Sequence, residues 1–301
     1  MRVAIIGLGL IGSSIGLALK QADESGCDIV GYVRRPEVKS TALSLGVVDR
    51  VETSLAATVT NADLVIIATP VLAIKDILSQ IANCLTPGCI VTDTASTKFQ
   101  VIEWAEEMLP PTVNFVGGHP MAGKETYGIQ AAAGDLFRGC TYCLIPAEKA
   151  SPQAIEKMTN LVKKLGAVTF FIDAQYHDNL VAGVSHLPML LSAVLVSATT
   201  RDSAWDDMSK LAASGYYSGS RLASGNPEVN ADICFSNQEA ILYWIDEFIQ
   251  ELERYRKLVI AGDMSLKLAL KEAKKARQEW LNKFAGSQQK GDRDENHNKI
   301  L

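Results

Sequence analysis

Near its amino terminus the chain reads Arg2-Val3-Ala4-Ile5-Ile6-Gly7-Leu8-Gly9-Leu10-Ile11-Gly12-Ser13-Ser14, an apolar strand that runs through a glycine signature into a helix. In such a signature Gly7 permits the tight turn, Gly9 lets the backbone approach a pyrophosphate, and Gly12 lets helix and strand pack closely. The pyrophosphate then lies on the N–H groups at the positive end of the helix. Because strand and helix supply the required context, residues 7–12 are predicted to bind a dinucleotide rather than to form a merely structural turn.

The end of the second predicted strand indicates which dinucleotide binds. That strand spans 29–33 and is followed by Arg34 and Arg35. A site for NAD usually has an acidic residue here, whereas planar guanidinium groups suit the oxygens of a 2′-phosphate. We therefore predict NADP as the cofactor, with a solvated arginine pair as the alternative. Thr69 and Pro70, which end a later strand, are predicted to complete the cofactor site.

Composition narrows the class of protein. The 301 residues are 48% hydrophobic and 21% charged, as in a globular protein of one or two domains. The net charge of −5 argues against a nucleic-acid surface. No apolar run is expected to be long enough to span a bilayer, and no signal peptide is expected before the first strand. We therefore expect a cytoplasmic protein with neither nucleic-acid nor membrane partners.

Cysteines give no sign of a metal centre. Cys140 and Cys143 form a C-x-x-C sequence at a predicted strand, 141–145, where residues three apart point to opposite faces. The sequence offers no second pair that would complete a zinc site. No metal is therefore predicted.

The order of predicted elements divides the chain into two domains and a tail. Strands and helices alternate as far as a strand at 167–172, which predicts a doubly wound, Rossmann-type α/β sheet in a dinucleotide-binding domain of residues 1–173. No strand is predicted in residues 174–285, an all-helical dimerisation and substrate domain. Its helix 187–196 is apolar nearly all round, so we expect it to lie in the core of a homodimer. Residues 286–301 are polar and are predicted to be a disordered tail.

Two side chains are candidates for acid–base chemistry at the carboxyl edge of the sheet, where ligands of open α/β sheets bind. His119 follows a predicted strand in Val116-Gly117-Gly118-His119-Pro120-Met121-Ala122-Gly123, and Ser96 follows the preceding strand in Asp93-Thr94-Ala95-Ser96-Thr97-Lys98. Small flanking residues let a substrate approach the imidazole, which titrates near neutral pH. A purely structural imidazole is the alternative.

These two sequences occur together with others in an order that resembles a known family. The others are Val184-Ser185-His186-Leu187-Pro188-Met189, Ser214-Gly215-Tyr216-Tyr217-Ser218-Gly219-Ser220-Arg221 and Gly225-Asn226-Pro227-Glu228. Over about residues 1–260 the chain resembles the arogenate/prephenate dehydrogenases of tyrosine biosynthesis. It most resembles the compact cyanobacterial type, which is NADP-dependent and prefers arogenate.

The resemblance implies a reaction and a role for four residues. The substrate is a cyclohexadienol that gives up a hydride from its carbinol carbon and then loses carbon dioxide, and no metal is needed. By this resemblance His119 is the base, and Ser96 orients the imidazole or the substrate hydroxyl. Arg221 binds a substrate carboxylate, with a surface ion pair as its alternative. His186 lines the side-chain end of the pocket, with a core histidine as its alternative.

The chain departs from the family pattern beside the predicted substrate arginine. The family usually reads Gly-Phe-Arg-Asp there, whereas Tyr217 and Ser218 stand at the Arg-Asp positions of this chain. Lys124 is predicted to supply a replacement charge to the substrate, or else to be solvated. The lost arginine lowers the positive charge, which favours the zwitterion arogenate, and the lost aspartate acts in the opposite direction.

Three other functions stay open from the sequence. A prephenate dehydrogenase, giving 4-hydroxyphenylpyruvate, would use the same base. Another reductase with a nucleotide domain and a helical domain would use a lysine or aspartate on a helix of its second domain. A sensor would bind NADP without turnover.

Overall fold

The computed structural model describes residues 1–22, 26–34, 36–123, 126 and 128–297. Its described strands are β1 Arg2–Ile6, β2 Asp28–Tyr32, β3 Arg50–Glu52, β4 Leu64–Ile67, β5 Ile90–Asp93, β6 Asn114–Pro120, β7 Thr141–Pro146 and β8 Val168–Phe171. They form one sheet in the order β3-β2-β1-β4-β5-β6-β7-β8. Neighbouring strands are parallel, except that β7 runs antiparallel to β6.

The helices of the described residues flank this sheet and then continue without strands. Their bounds are α1 Leu10–Ala22, α2 Pro36–Ser44, α3 Leu55–Val59, α4 Val71–Ile81, α5 Phe99–Met108, α6 Pro152–Lys164, α7 Ala174–Val181, α8 Leu187–Thr200, α9 Trp205–Leu211, α10 Ser214–Ser220, α11 Pro227–Ser236, α12 Gln238–Ala261 and α13 Met264–His297. Short 3₁₀ turns lie at Ala82–Cys84, Ile129–Ala131 and Arg221–Ser224, and a π-helical turn at Ala182–His186 joins α7 to α8.

The core lies on both faces of the sheet. Along β1, Val3 and Ile5 pack into one apolar cluster and Ala4 and Ile6 into the other, and all four are fully buried. Alternate residues of a strand point to opposite faces, so a central parallel strand must be apolar throughout. The predicted Rossmann-type sheet followed by helices is confirmed. The short edge strand β3 was not predicted, because its sequence Arg50-Val51-Glu52 has one apolar residue.

The helical run from Ala174 to Thr200 corrects an expectation. It spans 27 residues with a mean hydropathy of 1.9 over its most apolar window, so by length and composition it could cross a bilayer. The expectation that no apolar run is long enough is therefore wrong; α7, the π-helical turn and α8 join into a longer helix than the segment 187–196 indicated. Only 28% of that window is buried within the chain.

The contacts divide the chain into two compact units, residues 1–241 and residues 242–301. In the first unit α7 packs against α5, and α11 packs against α4. The predicted boundary at residue 173 falls inside this unit, so the division into two domains stays a prediction.

Helix α13 includes residues 286–297 of the predicted tail, and the disorder of residues 286–301 stays a prediction. Lysine, glutamate, glutamine and arginine favour the helix although they leave little apolar surface to bury. The remaining four residues of the predicted tail, 298–301, lie outside the described residues.

Candidate active site

The glycine loop between β1 and α1 has the geometry that a close backbone approach requires. Gly7 has φ +99°, which an L side chain rarely adopts. A Cβ on Gly12 would lie 2.1 Å from the Gly7 carbonyl oxygen, so only glycine lets helix and strand pack this closely. A Cβ on Gly9 would meet no atom within 4 Å. The open side of this loop is therefore at Gly9, beside the first-turn N–H groups of α1.

Other predicted cofactor residues surround this loop. Gly7 packs on Ala68 and Thr69, and the Thr69 hydroxyl is buried without a partner in the described chain. Pro70 precedes the first residue of α4 as its N-cap. Arg34 is exposed just after β2, whereas Arg35 lies outside the described residues. A polar group without a protein partner is costly to bury, so the Thr69 hydroxyl is suited to a ligand.

His119 lies inside β6 rather than on a loop after it. The strand continues to Pro120 because β7 pairs with its last five residues, placing His119 opposite Cys143. A Cβ on Gly118 would lie 2.6 Å from the Asp93 carbonyl oxygen, so this glycine allows β6 to approach β5 closely. The expectation of a loop position is wrong, but His119 is still next to the carboxyl end of its strand.

A chain of hydrogen bonds runs from His119 into the helical part of the same unit. His119 Nδ1 lies 2.9 Å from His177 Nε2, and the two rings meet edge to face. His177 Nδ1 lies 2.7 Å from Asp178 Oδ1. All three side chains are buried: His119 is 7% exposed, and His177 and Asp178 are each 1% exposed.

Asp178 also caps a helix of the nucleotide-binding fold. Helix α5 begins at Phe99 without a local side-chain cap. The carboxylate of Asp178, on α7, accepts the backbone N–H of Lys98 at 2.8 Å and that of Phe99 at 2.9 Å. A carboxylate at a helix N-terminus is stabilised by both the N–H groups and the helix dipole. The helical part is thereby tied to the sheet at the candidate site.

A fully buried ion pair lies beneath the imidazole. Lys98 Nζ contacts Asp93 Oδ2, and neither side chain is exposed. Asp93 also accepts the backbone N–H groups of Ala95 at 2.8 Å and Gly118 at 3.2 Å. A buried charge pair of this kind needs such further hydrogen bonds to be tolerated. The pair fixes the loop after β5 against β6 and brings a positive charge towards His119.

This environment keeps His119 neutral. Burial holds the pKa of His119 well below its ordinary value, and the neighbouring His177, Lys98 and His186 lower it further. Burial likewise lowers the pKa of His186 to about 4, with Asp178 opposing and His177 assisting the shift. An unprotonated imidazole is the form that can accept a proton.

The other residues predicted for the active site, His186 and Ser96, differ in their surroundings. His186 is 1% exposed, with Nδ1 3.3 Å from the Asn237 amide nitrogen and Nε2 buried without a partner among the described residues. Among those residues Ser96 makes no hydrogen bond to His119, whose Nδ1 is occupied by His177. The alternative role of Ser96, towards a substrate hydroxyl, stays a prediction. The neighbouring Thr97 hydroxyl bonds that of Ser236 at 2.8 Å.

Arg221, the predicted substrate arginine, belongs to a different element from the imidazole pair. Arg221 is exposed and begins the 3₁₀ turn Arg221–Ser224, which packs against α8. Tyr217 is 76% exposed on α10. Lys124 lies outside the described residues. The roles of Arg221 and Lys124 therefore stay predictions.

Sequence reasoning missed His177, Asp178 and Asn237. No local sequence motif singles them out, and only the fold brings them to this site. One signal was available: the chain has only four histidines, and three of them, His119, His177 and His186, meet here. Within the described ranges no cluster of His, Cys, Asp and Glu is arranged to hold a metal ion.

Comparisons with known proteins agree with this arrangement. Residues 15–171 match the family model for the nucleotide-binding domain of prephenate dehydrogenase, and residues 173–273 match that for its dimerization domain. The prephenate dehydrogenase of Bacillus subtilis (strain 168) is 36% identical over 263 residues, covering 87% of this chain and 71% of that protein.

Two solved structures share the fold over nearly the whole chain. One is prephenate dehydrogenase from Aquifex aeolicus in complex with hydroxyphenyl propionate and NAD⁺, with a TM-score of 0.86 and 28% identity, covering 93% of this chain and 98% of that one. The other is Synechocystis arogenate dehydrogenase, with a TM-score of 0.78 and 29% identity, covering 93% and 100%.

The glycine loop, the doubly wound sheet and the buried neutral histidine define an oxidoreductase with a nucleotide-binding domain. The matches to both domain models and to relatives above 30% identity are more specific. The chain belongs to the prephenate dehydrogenase family of tyrosine biosynthesis, and the predicted family resemblance is confirmed.

Proposed function

We propose that this enzyme catalyses the NADP-dependent oxidative decarboxylation of arogenate to tyrosine. The observation that carries the proposal is His119, buried and held neutral at the carboxyl end of β6 in a nucleotide-binding fold. A neutral imidazole is suited to take the proton of a ring hydroxyl as the hydride leaves the same carbon.

Under this proposal, a residue of the chain can be assigned to each step of the reaction. A bound nicotinamide dinucleotide supplies the hydride acceptor. His119 accepts the hydroxyl proton, and Ser96 orients that hydroxyl. Arg221 holds the ring carboxylate, for which a guanidinium can pair bidentately. The resulting dienone draws in the electrons of the carbon–carboxylate bond, so carbon dioxide leaves and the ring becomes aromatic.

Support for the cofactor comes from the glycine loop and from Arg34. The open space at Gly9, the first-turn N–H groups of α1 and the unpartnered Thr69 hydroxyl fit a pyrophosphate and its sugar. The exposed Arg34 follows β2, where a 2′-phosphate would lie. Since the Aquifex aeolicus relative is in complex with NAD⁺, the preference for NADP needs its own measurement.

The substrate choice rests on charge. Tyr217 in place of the family's arginine lowers the positive charge that would favour the keto acid, and Synechocystis arogenate dehydrogenase has the same fold. Prephenate is the second candidate, because the Bacillus subtilis relative is named for it. We propose that His186 and Lys124 line the end of the pocket that holds the side chain of the substrate.

The proposal also covers the domain boundaries, the location and the oligomeric state of the protein. We place the nucleotide-binding domain at residues 1–173 and the helical domain at 174–285. We propose a cytoplasmic homodimer, supported by the match of residues 173–273 to a dimerization domain. Another reductase would use a lysine or aspartate on a helix of its second domain, whereas the buried imidazole that supports our proposal lies on β6.

The test measures formation of the reduced nicotinamide cofactor by its absorbance. Arogenate and prephenate are each assayed once with NADP and once with NAD. We expect the highest kcat/KM for arogenate with NADP. His119→Ala should lose about 10²–10⁴-fold in kcat while still binding NADP. A higher kcat/KM for prephenate would move the assignment to that substrate, and cofactor binding without any turnover would favour the sensor.

Cofactor preference is checked by replacing Arg34 and Arg35 with alanine. Two charge-assisted contacts of about 1.5–3 kcal/mol each amount to at least about a hundredfold. The double variant should therefore raise KM for NADP and leave KM for NAD nearly unchanged. Lys39→Ala, on the exposed side of α2, is the matched control and should affect neither. Equal use of both cofactors by the unaltered enzyme would count against NADP.

A further inference from the structure

Hydrogen-bond direction along the chain Asp178–His177–His119 follows from the groups at its far end. Asp178 accepts from the backbone N–H groups of Lys98 and Phe99, which can only donate, so both its oxygens act as acceptors. His177 therefore donates Nδ1–H to Asp178, and in its neutral form its Nε2 is left as an acceptor. His119 must then donate its own Nδ1–H to that nitrogen. The lone pair of His119 is thereby confined to Nε2.

We propose that His177 and Asp178 are positioning residues, which hold His119 in the tautomer whose Nε2 is free to take the proton of the substrate hydroxyl. The inference rests on the proposed function of His119 as the base and adds two residues that act through it. With its lone pair on Nδ1 instead, His119 would present an N–H to the hydroxyl and could not accept the proton. In the comparable Ser–His–Asp arrangement, the wrong tautomer lowers kcat about 10⁴-fold.

The hydrogen bonds from His119 through His177 to Asp178 also stabilise the positive charge that arrives with the proton. When His119 Nε2 takes the hydroxyl proton, the Nδ1 proton of His119 passes to His177 Nε2, so one proton arrives and one moves on. The charge then lies on His177, in contact with the Asp178 carboxylate. Of the other groups facing the two imidazoles, Lys98 is paired with Asp93, and His186 and the Cys143 thiol are neutral, since burial lowers the pKa of the first to about 4 and raises that of the second to about 11.

The tautomer of His119 can be measured without turnover in protein labelled with ¹⁵N-histidine. The chain has four histidines, so long-range ¹H–¹⁵N correlation spectra contain four imidazoles, which single substitutions assign. We expect His119 to carry its proton on Nδ1. His177→Gln should preserve this state, because the amide oxygen accepts the Nδ1–H while the amide N–H donates to Asp178. His177→Leu should lose it.

Steady-state kinetics on the same variants separate positioning from packing. We expect His177→Leu to lower kcat on the order of 10²-fold, the size of a general-base contribution, with KM nearly unchanged. His177→Gln should recover most of that loss because it restores the acceptor.

The matched control is Ser236→Ala. It removes a buried hydrogen bond to Thr97 in the same region and leaves the hydrogen bonds among Asp178, His177 and His119 unchanged. Its kcat and its histidine spectrum should match the wild type. Normal kcat in His177→Leu, with His119→Ala inactive, would overturn the inference and leave the proposed function standing. Normal turnover in His119→Ala would instead overturn the proposed function. A wild-type spectrum with the His119 proton on Nε2 would contradict the inference by itself.

Discussion

At the scale of single residues, burial of His186 makes stability depend on pH. Its pKa lies at about 4 in the folded chain, against 6.5 for an ordinary histidine. Between these values the unfolded chain binds a proton that the folded chain does not, so acid favours unfolding. The loss begins as pH falls below 6.5 and is complete near pH 4. At about 1.4 kcal/mol per pKa unit, this one side chain accounts for about 3 kcal/mol.

We therefore expect His186→Gln to flatten the pH dependence of the free energy of unfolding. Urea denaturation of wild type and variant, at one protein concentration and at several pH values from 7 to 4, measures the difference. Ser236→Ala, which changes a neighbouring buried residue and no titrating group, should keep the wild-type slope. Parallel curves for wild type and His186→Gln would show that His186 titrates normally in the folded protein.

At the scale of elements, the loop between β1 and α1 contains one glycine that the fold requires and one that leaves room for a ligand. A Cβ on Gly12 would lie 2.1 Å from the Gly7 carbonyl oxygen, whereas a Cβ on Gly9 meets nothing within 4 Å. The two glycines therefore serve different ends: Gly12 allows α1 to pack on β1, and Gly9 leaves room for a ligand.

Alanine at each position tests this division of roles. Gly9→Ala should change the free energy of unfolding by less than about 1 kcal/mol yet weaken NADP binding, because its methyl group fills the space for the pyrophosphate. Gly12→Ala should destabilise the fold by about 1–3 kcal/mol, although alanine is the better helix former. Urea denaturation and calorimetric NADP titration measure the two effects. Equal destabilisation by both variants would contradict the assignment.

Elements of the sheet could be predicted from sequence because buried parallel strands are apolar at every position. The run 64–67 and the strand β1 are examples. β6 was predicted too short because its last residues, Gly118-His119-Pro120, have low strand propensity, and they are extended only by pairing with β7. His119 and the glycine loop were recognisable as local sequence patterns. His177 and Asp178 were not, since their role depends on α7 docking on the N-terminus of α5.

At the scale of the whole molecule, the helical run from Ala174 to Thr200 leaves an apolar surface uncovered. Val184 is 75% exposed, Val194 60% and Leu195 36%, although α8 is one of the most apolar segments of the chain. Exposed apolar side chains along so apolar a helical run make it a candidate interface. The match of residues 173–273 to a dimerization domain favours a second copy of this chain over lipid as its cover.

Light scattering at micromolar concentration should therefore give about twice the chain mass of 32.5 kDa. Val194→Asp places a charge on the uncovered face of α8, where desolvating a carboxylate strongly opposes association, so this variant should shift towards a monomer and lose thermal stability. Leu43→Asp on α2, also an exposed apolar position, is the control and should remain a dimer. A well-folded monomer at all concentrations would mean that α8 is not an interface between copies. Recovery of the wild type only with lipid or detergent would instead make the membrane the partner of this helix.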